Sequence, residues 1–146
     1  MAIPKFERFF RAAAGVDVDK FDLKRYDDFI NDKIYDLVLS GRNHAKANGR
    51  DVMAPMDLPI TKGLQESIQQ FKKLDAEIGL EPILELLAAR PPLDVTLGEE
   101  TEAELPLVAG GVSVALARTF RIIDPSATNP STEHWERAFR VFDLLL

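Results

Sequence analysis

Apolar residues recur every three to four positions through most of this chain, and that period is helical. Phe6, Phe9, Phe10 and Ala13 share one side of a segment whose other side carries Glu7, Arg8 and Arg11, so residues 4–14 read as a short amphipathic helix opened by Pro4 and stopped by Gly15. Val16-Asp17-Val18-Asp19 alternates as a brief extended loop, and Asp22 is placed to cap a long helix running to about Asn48, where Gly49 ends it. Tyr26, Phe29, Ile30, Ile34, Leu37, Val38 and Ala45 form one stripe of that helix, and Tyr35 and Leu39 add a second. A helix apolar on more than one side is covered on more than one side, as a central helix is. Arg50–Ala54 then reads as a strand-like piece. Ile60, Leu64, Ile68, Phe71, Leu74 and Ile78 give a further helical stripe ending at Gly79. Pro59 cannot donate to the carbonyl four residues back, so residues 55–58 are either a separate turn or the kinked start of this helix.

A second round repeats the order. Leu93-Asp94-Val95 echoes Val16-Asp17-Val18 at an offset of 77, and Pro130, with Ser131 and Thr132 as capping residues, follows Pro55 by 75. Pro82–Arg90 is then a second short helix, Glu99–Ile123 a second long one, Asp124–Asn129 a second bridge and Ser131–Leu146 a final helix carrying Trp135, Ala138, Phe139 and Phe142. Pro106 falls early in the second long helix. Gly110 and Gly111 cost about 1 kcal/mol each relative to alanine in a helix interior. A close crossing of the two long helices, with Gly41 and Gly110-Gly111 at the contact, would give them a purpose.

The stretch Asn48-Gly49-Arg50-Asp51-Val52, leading into Pro55-Met56-Asp57-Leu58-Pro59-Ile60-Thr61-Lys62-Gly63-Leu64, resembles the end of a histone fold. With the repeat, the whole chain resembles a bacterial single-chain histone-fold family of unknown function, in which two histone folds fused end to end pack as an intramolecular pseudo-dimer. The resemblance implies an all-α fold with very short β-bridges in the loops, one compact domain over residues 1–146, a first histone fold over 1–78 and a more divergent second over 80–146. It also implies that Arg50 clamps Asp57. The second half departs from the pattern, with Pro125 at the offset position of the arginine and Thr132 at that of the aspartate. Covalent fusion holds the two halves at roughly millimolar effective concentration, so a monomer or small homo-oligomer is expected.

Charge changes the functional picture. The net charge is −6, and residues 1–75 carry 13 Lys+Arg against 12 Asp+Glu, whereas residues 76–146 carry 5 against 12. A protein that coats DNA advertises a basic field; here the overall sign is wrong and any contact must be local. Cysteine is absent, which excludes disulfides and thiolate metal sites. No apolar run reaches the ~20 residues of a membrane span, and the start lacks a signal-peptide core, so a cytoplasmic protein without membrane contact is expected.

Arg42, Lys46 and Arg50 stand four apart, and in paired histone folds the bridge loop of one lies beside the first loop of the other, which would bring Arg90 to the same end. These four are candidate phosphate contacts; the alternative is that cations near a helix C-terminus simply answer its dipole. The opposite end would pair Lys20 and Arg121 with Asp17, Asp19 and Asp124. Asp28, Asp32 and Asp36 also stand four apart, read as a solvated, partly paired row rather than a hard-cation site, since no second segment supplies oxygens. His44 and His134 sit in no metal or nucleophile motif, and Glu99, Glu100, Glu102 and Glu104 suit a helix start better than catalysis. The expectation is a non-enzymatic interaction module with no metal or cofactor, whose partner is a protein or a second copy; the alternative is weak, sequence-independent DNA binding through one cationic end.

Overall fold

The computed structural model describes residues 1–146, with α1 at Ile3–Ala14, α2 at Leu23–Ala47, β1 at Val52–Met53, α3 at Lys62–Lys73, α4 at Leu80–Ala88, β2 at Thr96–Leu97, α5 at Glu99–Ile123 and α6 at Thr132–Leu145. The class is all-α, the strands being two residues each and paired in parallel, Val52 beside Thr96 and Met53 beside Leu97. α1 buries Phe6, Phe9 and Phe10 and ends at Gly15, whose φ of 64° lets its N–H return to Arg11 O at 2.8 Å. α2 begins after Asp22, but that side chain does not cap it. The carboxylate turns back to accept from Asp19 N at 3.1 Å.

Between β1 and α3 the chain makes a separate 3-10 turn at Pro55–Asp57, and Thr61 Oγ1 caps α3 by accepting from Leu64 N at 3.2 Å. α3 stops at Lys73 rather than at Gly79: Leu74 is already extended, with φ −85° and ψ 147°, while Leu74 and Ile78 still pack against the core. α4 starts two residues before Pro82, which the first turn of a helix tolerates because the N–H that proline lacks would have no intrahelical acceptor there.

α5 lies at the centre, touched by α1, α2, α3, α4 and α6. It runs unbroken through Pro106. It is long and apolar enough to cross a membrane, with a mean hydropathy of 1.4 over its most apolar window; here Leu105, Val108, Val112, Val114, Leu116 and Phe120 are buried inside the fold. The glycines serve α3, not α2: a Cβ on Gly111 would stand 2.5 Å from Ile68 Cγ1, and one on Gly110 would enter the Phe71 ring. Gly41 likewise faces Met53 and the 3-10 turn, where a Cβ would lie 2.9 Å from Met53 Sδ. The long helices do meet, through Tyr26 Oη donating to Ser113 Oγ at 2.8 Å, while Ser113 Oγ donates to Ala109 O at 2.7 Å. Burial pushes the Tyr26 hydroxyl up to about 12, so it is a fixed donor.

Aromatic rings tie the halves together. Phe10 lies 5.5 Å from Tyr26 and 6.1 Å from Trp135, Trp135 lies 4.8 Å from Phe120, and Phe29 stacks on Phe139 at 4.7 Å.

Candidate interaction surfaces at the two ends

At the β1/β2 end the polar chemistry is inward-facing. Arg50 donates from Nη1 and Nη2 to the two oxygens of Asp57, each at 2.6 Å. The same carboxylate accepts from Ala54 N at 2.8 Å and from His44 Nδ1 at 2.6 Å, and Asp57 is only 3% exposed. Arg50 first, then His44 and the Ala54 amide, hold its carboxyl well below the usual carboxylate range. Since Asp57 is ionised, His44 must carry its proton on Nδ1. Beside this lock, Thr101 Oγ1 donates to Met53 O at 2.5 Å, fixing the start of α5 to β1. The bridge itself is closed by Thr96 N to Asp51 O at 2.9 Å and Gly98 N to Met53 O at 3.1 Å.

The four candidate phosphate cations do not form one open cluster. Arg50 is committed to Asp57. Arg42 Nη2 reaches Asp94 Oδ2 at 3.4 Å, and Lys46 Nζ lies 3.8 Å from the same oxygen. Arg90 turns to the middle of α2, bonding Asp32 and lying 4.8 Å over the Tyr35 ring, rather than joining Lys46 and Arg50. The aspartate row on α2 is thereby paired throughout: Asp28 with Lys24 at 2.7 Å, Asp32 with Arg90, and Asp36 with Lys33 at 3.6 Å. No three His, Asp or Glu side chains converge as metal ligands would.

The opposite end is held by main-chain acceptors. No second strand pair forms over residues 124–129; one bond, Asp17 N to Thr128 O at 2.7 Å, joins the two loops. The charge pattern sets Arg121 among aspartates, yet it donates to the carbonyls of Ala14 at 2.8 Å, Gly15 at 2.7 Å, Ala127 at 3.1 Å and Pro125 at 3.3 Å. Lys20 sits over Phe21, and Asp17 pairs with Arg11 at 3.3 Å. His134 closes a capping box: its Nδ1 accepts from Ser131 N at 2.9 Å, Ser131 Oγ accepts from His134 N at 3.3 Å, and Nε2 faces Asp124 at 3.3 Å. Hydrogen bonds from Ser126 Oγ and N, with His134 alongside, lower the Asp124 carboxyl. Sequence reasoning sets both histidines aside because a carboxylate partner 10 or 13 residues away leaves no local spacing to read.

From this end an apolar surface extends along α6. Val141 is 40% exposed and Leu144 85%, and with Ile123 at the end of α5 they line an open depression of about 740 Å³ edged by Arg137, Arg140 and Asp143.

Residues 6–143 match the family described as a domain of unknown function, DUF1931. The chain belongs to this family. A crystal structure of a Thermus thermophilus protein is similar to it over 100% of this chain and 99% of that one, at 52% identity and a TM-score of 0.95. Protein AQ328 of Aquifex aeolicus is similar at 26% identity and a TM-score of 0.81, over 98% of this chain and 94% of its own. An uncharacterized protein of Aquifex aeolicus (strain VF5) is 27% identical over 139 residues, 95% of this chain and 81% of that one. The histone from Methanopyrus kandleri superposes with a TM-score of 0.65 at 14% identity, over 94% of this chain and 92% of its own, which establishes the histone fold of this DUF1931 chain and nothing about its task.

Proposed function

We propose that this chain is a non-enzymatic histone-fold interaction module, and that its partner at the α5–α6 end is a second copy of itself. The observation that carries the reading is the exposed apolar strip of Val141 and Leu144 beside Ile123. Such side chains are surplus to the core, because α6 already buries Trp135, Ala138 and Phe142 on its other face. The flanks of the strip favour a like partner. Arg140 lies toward one end, where Arg137 is already paired with Glu133 at 2.6 Å, and Asp143 lies toward the other. Asp143 binds Lys33 through Oδ1 at 2.5 Å, which leaves Oδ2 for a further contact. A two-fold rotation reverses the polarity of the strip, setting positive flank against negative flank while the apolar centres meet. Arg140 has no acidic partner within the chain, whereas the candidate phosphate cations at the β1/β2 end are all paired. DNA binding is accordingly the secondary reading, supported by the local run Arg42, Lys46 and weakened by the net charge of −6.

Sedimentation velocity over a hundredfold concentration range tests the proposal. The unaltered chain should shift from monomer to dimer mass, and Val141→Glu/Leu144→Glu should remain monomeric with an unchanged thermal midpoint. A chain that stays monomeric throughout, or a double variant that dimerises equally well, overturns it.

A further inference from the structure

Asp94 is the one non-glycine residue with positive φ, at 59°. Its backbone geometry brings a loop carboxylate, with a side chain 63% exposed, to a single point between Arg42 and Lys46, one helical turn apart on α2. This arrangement is a carboxylate occupying a two-cation cradle. Of the Arg42 nitrogens, Nη2 faces Asp94, Nη1 donates to Asn43 Oδ1 at 3.2 Å, and Nε is enclosed without an acceptor.

The contrast with Asp57 sets how firmly each carboxylate is held. Asp57 has four donors at 2.6–2.8 Å and is shut away from water. Asp94 has two contacts at 3.4 and 3.8 Å, both open to solvent, the class of ion pair that contributes little and is readily exchanged. An external oxyanion with more acceptor oxygens than a carboxylate would find the same two cations already preorganised by α2.

We propose that Arg42 and Lys46 form a phosphate-type oxyanion site that Asp94 masks from within the chain. The masking suppresses anion binding in the unaltered protein and is removed when the Asp94 charge is lost or its loop is displaced. The site is separate from the self-pairing surface, since α5, 25 residues and so about 37 Å long, runs from the masked end to the other.

The test uses a short fluorescent duplex DNA and, in parallel, inorganic phosphate followed by thermal shift. Asp94→Asn removes the charge at constant shape, and Asp94→Gly does so with a residue suited to the positive φ, so a folding defect in one leaves the other informative. Both variants should bind the duplex roughly tenfold more tightly at low salt, and the slope of log affinity against log salt should steepen by about 1 to 2, the contribution of one or two new phosphate contacts. Adding Arg42→Ala/Lys46→Ala to Asp94→Asn should abolish the gain. A gain for the duplex alone assigns the site to a nucleic-acid backbone, and a gain for free phosphate alone assigns it to a small oxyanion; either upholds the site. If neither ligand binds the Asp94 variants more tightly, or the gain survives loss of both cations, the proposal fails.

Discussion

The β1/β2 end and the Arg121 end of this molecule solve one structural problem, joining a loop of one half to a loop of the other, with different chemistry. The first uses a parallel strand pair and a buried carboxylate surrounded by donors, so its specificity lies in side chains: Arg50, His44 and Asp57. The second uses a single backbone bond and an arginine that collects carbonyls, so almost any loop sequence that presents four C=O groups would serve. A carboxylate lock closes its end in on itself. A carbonyl-bound arginine makes no such demand, and beside it α6 is left with apolar surface.

The largest effect is expected at the aromatic junction that both halves share. Trp135 is fully buried between Phe10 and Phe120, and Trp135→Ala should cost about 3–5 kcal/mol in urea unfolding, with both halves destabilised together in a single transition. Separate transitions for the two halves would mean that they are not one cooperative unit.

Next in size is Arg50→Ala, which leaves the enclosed Asp57 carboxylate without its two-pronged partner. Its thermal midpoint should fall by roughly 5–10 °C, whereas Arg42→Ala, which loses only exposed contacts, should move it by about 2 °C or less. Equal shifts would place the two arginines in the same class. Acid probes the same lock. The Asp57 carboxyl is lower in the folded state than in the unfolded chain, so its contribution is complete above the unfolded value near 4 and is lost as pH falls through the folded value. Asp22 and Asp27 are raised by burial and act the other way: the penalty for ionising them is relieved on acidification. Urea midpoints should therefore fall between pH 5 and about 2 in the unaltered chain, and fall less in Asp57→Asn, with Asp22 and Asp27 common to both. A variant that loses stability in acid as steeply as the parent would show that the Asp57 lock does not govern this range.

A smaller effect than that of Arg50→Ala is expected for Arg121→Met. The contacts to Gly15 and Pro125 are exposed, so water can replace the guanidinium there, and the midpoint should drop by only about 2–4 °C while the Asp17 amide exchanges faster. Protection of Asp17 unchanged by the substitution would show that the single backbone bond stands without the arginine.

These differences also separate what the sequence discloses from what it hides. Helix periods locate α1, α2, α5 and α6 to within a residue or two, because each buries a continuous stripe, and Ser131 is readable as a cap because a serine just before an apolar-periodic run suits that position. Periodicity makes α3 too long because Leu74 and Ile78 keep their burial after the backbone becomes extended, and apolarity alone does not report φ and ψ. The glycines are legible as sites of close approach, yet which helix approaches is a property of the packed core: Ile68 and Phe71 of α3, not α2. Arg121 is misplaced for the same reason, since main-chain acceptors carry no signature. Nor does Asp94 announce a positive φ, and its part in pairing Arg42 and Lys46 depends on that backbone turn.

On the proposed reading, the β1/β2 end satisfies its polar groups with its own side chains, and the α5–α6 end is the one that meets a second copy. Hydrogen–deuterium exchange at low and high protein concentration tests this in one experiment, because it reports where association buries backbone. Added protection is expected at high concentration over residues 138–146 and 120–124, with residues 50–57 and 94–98 unchanged. Added protection confined to the β1/β2 end, or none anywhere while the protein is dimeric by mass, would show that the open and sealed ends have been exchanged or that neither is open.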